Sequence, residues 1–106
     1  MTTTDKKTRI IVSRLWAMQQ SRIKAERAVP YQILESKIIK GEADEIALKT
    51  RLINGTLVTF FLRVSQAGVT YRTEFSDEEG LTYFDLAAIF SFNEDLDKTI
   101  KELNNN

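Results

Sequence analysis

EIALKTRLINGTLVTFFLRVS, residues 45–65, decides the fold, because two alternating stretches flank the pair Asn54-Gly55. A type I′ turn needs positive φ at both central residues, and Asn-Gly is a pair that readily accepts this. The segment therefore predicts an antiparallel hairpin with strands at Glu45–Ile53 and Thr56–Ser65.

A third strand is predicted at Val69–Phe75, where apolar alternation resumes after the loop Gln66-Ala67-Gly68. The three strands form an antiparallel meander with the second strand at its centre. A two-residue first turn and a three-residue second loop fix the register, which pairs Leu48 with Phe61 and Phe61 with Thr73.

This register sets an apolar stripe on one face of the central strand, inside a charged rim. The stripe, called the central stripe below, consists of Val58, Phe60 and Leu62, and the rim of Lys49, Arg51 and Arg72. An apolar centre inside a polar rim is typical of a protein interface. The alternative is that the N-terminal helix covers the stripe as a second core layer. The sequence leaves both interpretations open.

Helices are predicted near both ends of the chain. Within Thr8–Arg27, apolar residues recur at the helical period, which indicates an amphipathic helix. Ser91-Phe-Asn-Glu94 matches a capping box, and an apolar stripe continues from there to Leu103. A C-terminal helix is therefore predicted from residue 91 onward.

Two segments are ambiguous. Pro30–Lys40 fits a short helix that begins with proline, whereas a strand at Tyr31–Ile39 would place Glu35 and Lys37 on its apolar side. Residues 81–90 fit either a short helix or a fourth strand.

The elements together predict the α+β class: an N-terminal helix, with or without a second one, then the meander, then a C-terminal helix. A chain of 106 residues is expected to form a single domain. Residues 1–6 and 104–106 are expected to be disordered tails.

The net charge of zero conceals a polarised chain. Residues 1–40 hold nine basic and three acidic side chains, and residues 76–106 hold two basic and eight acidic ones. Such asymmetry indicates a nucleic-acid or membrane partner for the basic part, or a charge-complementary contact. The phosphate contacts of a nucleic-acid partner would come from the first helix, beside Trp16, through Arg14, Arg22, Lys24 and Arg27. Otherwise these cations are solvated or pair with the acidic last third.

Leu52-Ile-Asn-Gly55, followed by alternating Val58 and Phe60, resembles the first motif of Sm-like and Hfq-type RNA-binding barrels. The helix-before-strands order and Leu81–Ala88, near the position of the second motif, add to the likeness. Phe60 stands where that family has a mid-strand glycine, and Gln66 where it has a turn acid. The resemblance implies a small RNA-binding barrel.

The chain has no cysteine and no histidine, so disulfides, thiolate nucleophiles and Cys/His zinc sites are excluded. No complete catalytic constellation is present, and we expect no enzymatic activity, no catalytic residue, no metal, no cofactor and no small-molecule substrate. The start lacks an apolar leader, and no run of about 18 apolar residues occurs. A cytoplasmic protein without a membrane partner is therefore expected.

These observations favour a small non-catalytic, regulatory interaction module. It would bind another protein, or a second copy of itself, through the central stripe. The alternative is a module that binds RNA or single-stranded nucleic acid through its basic first helix.

Overall fold

Two helices cover one face of a four-stranded antiparallel sheet in the computed structural model, which describes residues 3–75 and 83–104. The elements are α1 (Thr3–Lys24), β1 (Tyr31–Ile39), β2 (Asp44–Leu52), β3 (Leu57–Ser65), β4 (Gly68–Phe75) and α2 (Tyr83–Asn104). The strands lie in the sheet in the order β1-β2-β3-β4, which makes a meander of hairpins. The predicted α+β class is confirmed, and the small domain has one helix before the sheet and one after it.

The ends of the helices differ from the predicted tails. Since α1 begins at Thr3, residues 3–6 belong to a helix and not to a disordered tail. Asn104 is the last residue of α2. The remaining predicted tail residues, 1–2 and 105–106, lie outside the described part of the chain.

α1 ends at Lys24, three residues before the predicted boundary, in a Schellman motif. The N–H of Arg27 donates to the carbonyl oxygen of Arg22 at 2.9 Å, and that of Glu26 donates to Ile23 at 3.1 Å. Glu26 has a φ of 56°, a left-handed conformation in which glycine is the usual residue. The chain turns here from α1 toward β1.

Residues 31–39 form strand β1 and not a helix. A bulge explains how the strand keeps Glu35 and Lys37 off its apolar side. The pairing with β2 shifts register between Ile33 and Glu35. A bulge adds one residue, so the inward face changes from odd to even positions. Ile33 is therefore buried, whereas Glu35 and Lys37 are exposed and Ile38 packs against the core. This fourth strand precedes the predicted meander.

The β2–β3 register differs by one residue from the prediction. Arg51 pairs with Leu57, and the N–H of Leu52 donates to the carbonyl oxygen of Thr56 at 2.8 Å, so the loop enclosed by this bond has three residues, 53–55, instead of two. Gly55 has a φ of 92°, but the φ of Asn54 is not positive. A type I′ turn requires positive φ at both positions, so the predicted turn does not form.

The β3–β4 connection is also one residue off. Ser65 pairs with Gly68, so the loop has two residues instead of three. β3 is thus displaced relative to both neighbours, and a one-residue displacement turns each of its side chains to the other face. Leu48 lies opposite Phe60 and not opposite Phe61.

α2 begins at Tyr83, eight residues before the predicted start at Ser91. The predicted capping box therefore lies inside the helix. Ala88 and Phe92 are both buried, so the apolar face of α2 continues through this point. Residues 83–90 are helical, which resolves the ambiguity of this segment except for residues 81–82, which lie outside the described part.

In the described residues the sheet is open, with β1 and β4 at its two edges. The segment that resembled the second Sm-like motif is helical from Tyr83 onward. The described residues therefore do not form the closed barrel that this resemblance implied.

Candidate protein interface

The central stripe lies in the core and not on a surface. The exposed fractions of Val58, Phe60 and Leu62 are 2%, 0% and 0%. The Phe60 ring stacks on that of Phe92 in α2, with centroids 3.9 Å apart and an interplanar angle of 13°. The helices thus cover this stripe, as the alternative interpretation expected, and it presents no contact surface.

The predicted rim lies on the opposite, solvent-facing side of the sheet, where its three cations are exposed: Lys49, Arg51 and Arg72. The Arg72 guanidinium lies over the Phe61 ring at 4.2 Å from its centroid. It also pairs with Glu74 at 2.6 Å, with both side chains more than half exposed. The structure therefore corrects the sequence interpretation, because the stripe and its rim belong to different faces.

The basic first helix and the acidic last third meet where α1 packs against α2. Arg14 forms an ion pair with Glu102. Arg22 makes a bidentate contact with Asp95, at 2.6 Å from Nη1 to Oδ2 and 2.7 Å from Nη2 to Oδ1. In the described part of the chain, two of the nine cations in residues 1–40 are therefore paired with acids of the last third of the chain.

Asp95 is the centre of a buried polar cluster that sequence reasoning missed. Its side chain is 10% exposed and also accepts a hydrogen bond from the Tyr31 hydroxyl. The hydrogen bond to Asp95 raises the pKa of the Arg22 guanidinium above its usual value. Burial, and then the hydrogen bond to Asp95, raises the pKa of Tyr31. The cluster joins α1, β1 and α2.

The other two predicted nucleic-acid contacts, Lys24 and Arg27, are exposed. Within the described ranges, neither makes an ion pair. Arg27 lines a groove of about 580 Å³ between the helices, which Arg14, Arg22 and Lys98 share with two acids. The four predicted cations therefore have different environments, and acids of α2 neutralise two of them.

Trp16 is not an exposed stacking platform. It is half-buried against the core, and its Nε1 donates to the Ser36 hydroxyl of β1 at 3.1 Å. The ring is thus part of the contact between α1 and the sheet.

Among the described residues, the most exposed apolar surface with helical spacing lies on α2. The exposed fractions of Tyr83, Leu86 and Phe90 are 81%, 51% and 67%. With Ala87, these residues form what we call the α2 stripe, and they line a shallow groove of about 380 Å³ together with Ser91 and Glu94. The positions i, i+3, i+4 and i+7 place them on one side of the helix.

The outer side of α2 changes character along its length. Beyond Phe90 the exposed positions are charged as far as Lys101 and end in the polar Asn104; the charged ones are Glu94, Asp97, Lys98 and Lys101. An apolar half followed by a charged half confines the apolar surface to the first two turns. Clusters of large exposed apolar residues mark interaction sites more often than isolated ones do.

The sequence contains the helical spacing of the α2 stripe, but this spacing defines a surface only if the helix starts at or before residue 83. Tyr83, Leu86, Ala87 and Phe90 have helical spacing. With the helix start predicted at Ser91, these residues belonged to an ambiguous segment and had no assigned face.

A second carboxylate cluster already holds a cation. Lys40 donates to Asp5 and, at 3.3 Å, to Asp44, which also accepts a hydrogen bond from Thr8 at 3.1 Å. In the part of the chain that the structure describes, no group of three acidic side chains is arranged to bind a metal.

Neither described helix combines the length and hydropathy that a membrane span requires. No protein-family model, no curated protein and no solved structure matches this chain.

Proposed function

We propose that this protein is a non-catalytic interaction module that binds another protein through the α2 stripe. The exposure of Leu86 and Phe90, one turn apart on one helix, supports this most directly. Full burial of a leucine or phenylalanine side chain is worth about 1.5–3 kcal/mol, and Leu86 and Phe90 still expose 51% and 67% of their surface for a partner to cover. Two such anchors with a polar boundary suit a helix face that docks into the groove of a partner.

The chemistry of the partner follows from the boundary of the stripe. Glu94 lines the same groove and is exposed, and Asp97 follows one turn later. The partner would present an apolar pocket or ridge with a basic residue at the end that faces Glu94. Charge complementarity of this kind sets orientation more than affinity.

The nucleic-acid alternative has weaker support. Arg14 and Arg22, two of its four cations, face carboxylates of α2. Phosphate would have to compete with these partners, which leaves Lys24 and Arg27 to provide attraction. We therefore place the α2 stripe first.

Site-specific photo-crosslinking tests the proposal. A benzoylphenylalanine at position 86 lies in the α2 stripe, and one at position 101 lies on the same side of α2 in its charged half. In extract of the source cells, position 86 should give one discrete protein adduct that excess unlabelled protein suppresses. Position 101 should not give this adduct.

The matched competitor is the Phe90→Glu variant, which adds a charge to the stripe at an exposed position. It should fail to suppress the adduct while retaining the circular dichroism spectrum of the unmodified protein. Equal suppression by this variant, or equal adducts from both positions, would contradict the proposal. So would an adduct to nucleic acid, or one at twice the 12.2 kDa chain mass.

A further inference from the structure

The two edges of the sheet are protected to different degrees. At the β1 edge, the Gln19 side chain bonds the backbone of Ile33 twice, accepting from its N–H at 2.6 Å and donating to its carbonyl oxygen at 3.1 Å. The bulge between Ile33 and Glu35 interrupts the same strand. A covering side chain and a bulge are devices that keep an edge strand from pairing with another chain.

The β4 edge has no such device among the described residues. Its eight residues pair with β3 in an unbroken register, from Gly68 opposite Ser65 to Phe75 opposite Val58. No described residue pairs with its other side. An unbroken edge of this length can accept another strand.

The residues that would bond a new strand can be identified from the turn. At the turn between β2 and β3 the N–H of Leu52 donates to the carbonyl oxygen of Thr56, so the backbone groups of residues 58, 60, 62 and 64 point to β2 and those of residues 59, 61, 63 and 65 point to β4. Hydrogen-bonded and non-hydrogen-bonded pairs then alternate along the ladder. The backbone groups of Tyr71, Thr73 and Phe75 therefore point to the free edge.

We propose that two copies of this chain pair through their β4 edges, antiparallel about a two-fold axis at Thr73, to form one continuous eight-stranded sheet. This inference is independent of the α2 stripe. In this register Arg72 lies opposite the partner's Glu74, and Tyr71 lies opposite the partner's Phe75. Opposite charges and aromatic side chains are the cross-strand pairs that stabilise an antiparallel ladder.

The sequence of β4 selects this axis over its neighbours. In an antiparallel two-fold pair, residues that face each other lie on the same side of the sheet. One residue must therefore face its own copy, and the axis passes midway between the two. An axis at Arg72 would oppose two arginines, and an axis at Glu74 would oppose two glutamates. An axis at Tyr71 would pair Arg72 with Thr70 and leave both charges without a counterpart.

The outer face favours the same pairing. Arg72 and Glu74 are exposed side by side and already contact each other at 2.6 Å within one chain. Around the axis, two copies would bring together two arginines and two glutamates of alternating sign. Each charge would then have neighbours of the opposite sign on both strands.

A single introduced cysteine tests the register, because the chain has none of its own. In Thr73→Cys the two sulfur atoms would meet at the axis, where facing Cα atoms are about 5.5 Å apart, within the range that a disulfide spans. In the control Thr70→Cys the two cysteines would be about 20 Å apart at about 3.4 Å per residue. Mild oxidation should convert most of Thr73→Cys into a covalent dimer, and at least tenfold less of Thr70→Cys.

Charge exchange tests the specificity in the chain without cysteine. Analytical ultracentrifugation should find a dimer for the unmodified protein and a monomer for Arg72→Glu and for Glu74→Arg, which oppose like charges. The double variant with both substitutions should dimerise again. The sedimentation runs use about 100 µM protein, a concentration at which even a weak dimer is populated. If the unmodified protein is monomeric there, the proposal is wrong. Equal crosslinking of the two cysteine variants would also overturn it.

Discussion

The two sides of α2 are both apolar, but only one is covered. On the inner side Ala88, Phe92 and Leu96 are at most 3% exposed, whereas Leu86 and Phe90 on the outer side are more than half exposed. Hydrophobicity alone therefore does not separate residues that hold the fold from residues that are available to a partner. The two groups differ in whether they contact the sheet. Substitutions on the two sides should therefore change the free energy of unfolding by different amounts.

The largest expected difference between the sides is in the free energy of unfolding. Phe92 stacks on Phe60 and meets Tyr31 edge-on at 5.4 Å, so Phe92→Ala leaves a cavity in the aromatic core. We expect it to lower the free energy of unfolding by about 3–5 kcal/mol. Urea denaturation followed by circular dichroism measures this loss.

Phe90→Ala is the matched control, since it removes the same ring from the outer side of the same helix. The expected change in the free energy of unfolding is within about 0.5 kcal/mol. A large loss for Phe90→Ala would show that this ring stabilises the fold, and the distinction between the two sides of α2 would no longer hold.

The two sides of α2 could not be assigned from the sequence because their boundary depends on tertiary contact. Residues 83–90 carry apolar side chains at both inward and outward positions, which neither helical nor strand periodicity separates cleanly. Ser91 and Glu94 also imitate a helix start. The residues before Ser91 are held by tertiary contacts, namely the burial of Ala88 and the hydrogen bond from Asn54 to Asp85, which no local pattern reveals.

The hairpin was predictable, but its register was not. Asn54-Gly55 marks a turn unambiguously, yet it fits both a two-residue turn and a three-residue loop with glycine in the left-handed position. Asn54 also donates to Asp85 in α2 at 2.6 Å, a contact that no local pattern reveals. An error of one residue was sufficient to place Phe60 on the wrong face.

The charge asymmetry could be read from the sequence, and it suggested a contact between the basic and acidic parts of the chain. The sequence did not show which residues make that contact. The pairing of Arg22 with Asp95 joins residues 73 positions apart. It requires α1 and α2 to pack side by side, which depends on the sheet face that both helices cover. Gln19, which covers the β1 edge, gave no sequence signal because a polar residue inside an apolar arc usually indicates a wet position.

The second comparison between the two sides of α2 is between two neighbouring acidic residues, Asp95 on the inner side and Glu94 on the outer side. Asp95 is buried and binds Arg22 and Tyr31, so Asp95→Ala leaves both donors without their acceptor. We expect a loss of about 2–3 kcal/mol, below that of a fully buried pair because the Arg22 side chain is a quarter exposed. Thermal or urea unfolding at pH 7 measures it.

Glu94→Ala removes an acid from the exposed side and should change the free energy of unfolding by less than about 0.5 kcal/mol. Equal effects of the two substitutions would mean that the cluster around Asp95 contributes nothing beyond an ordinary surface charge.

The smallest expected effect is a pH dependence that arises on the inner side alone. Burial raises the pKa of both Tyr31 and Tyr71 above the unfolded value of 10.0. The hydrogen bond to Asp95 raises the pKa of Tyr31 further, and the negative charge of Asp97 raises that of Tyr71 further. Above about pH 10 the unfolded chain therefore loses phenolic protons that the folded chain retains. Since the unfolded state then binds fewer protons, the free energy of unfolding falls as pH rises, by up to about 1.4 kcal/mol per pH unit for the buried Tyr31 and by less for the more exposed Tyr71, where solvent screens the effect.

Tyr31→Phe isolates the contribution of the inner cluster, because it keeps the ring against Phe92 and removes the titrating hydroxyl. Urea unfolding between pH 8 and pH 11 should show a shallower decline for this variant than for the unmodified protein, although the variant is less stable at pH 8. All other side chains are the same in both proteins, so the difference between the two curves is the quantity that reports Tyr31. Parallel curves would show that the hydroxyl has the same proton affinity in both states, and that the polar cluster on the inner side of α2 is open to water.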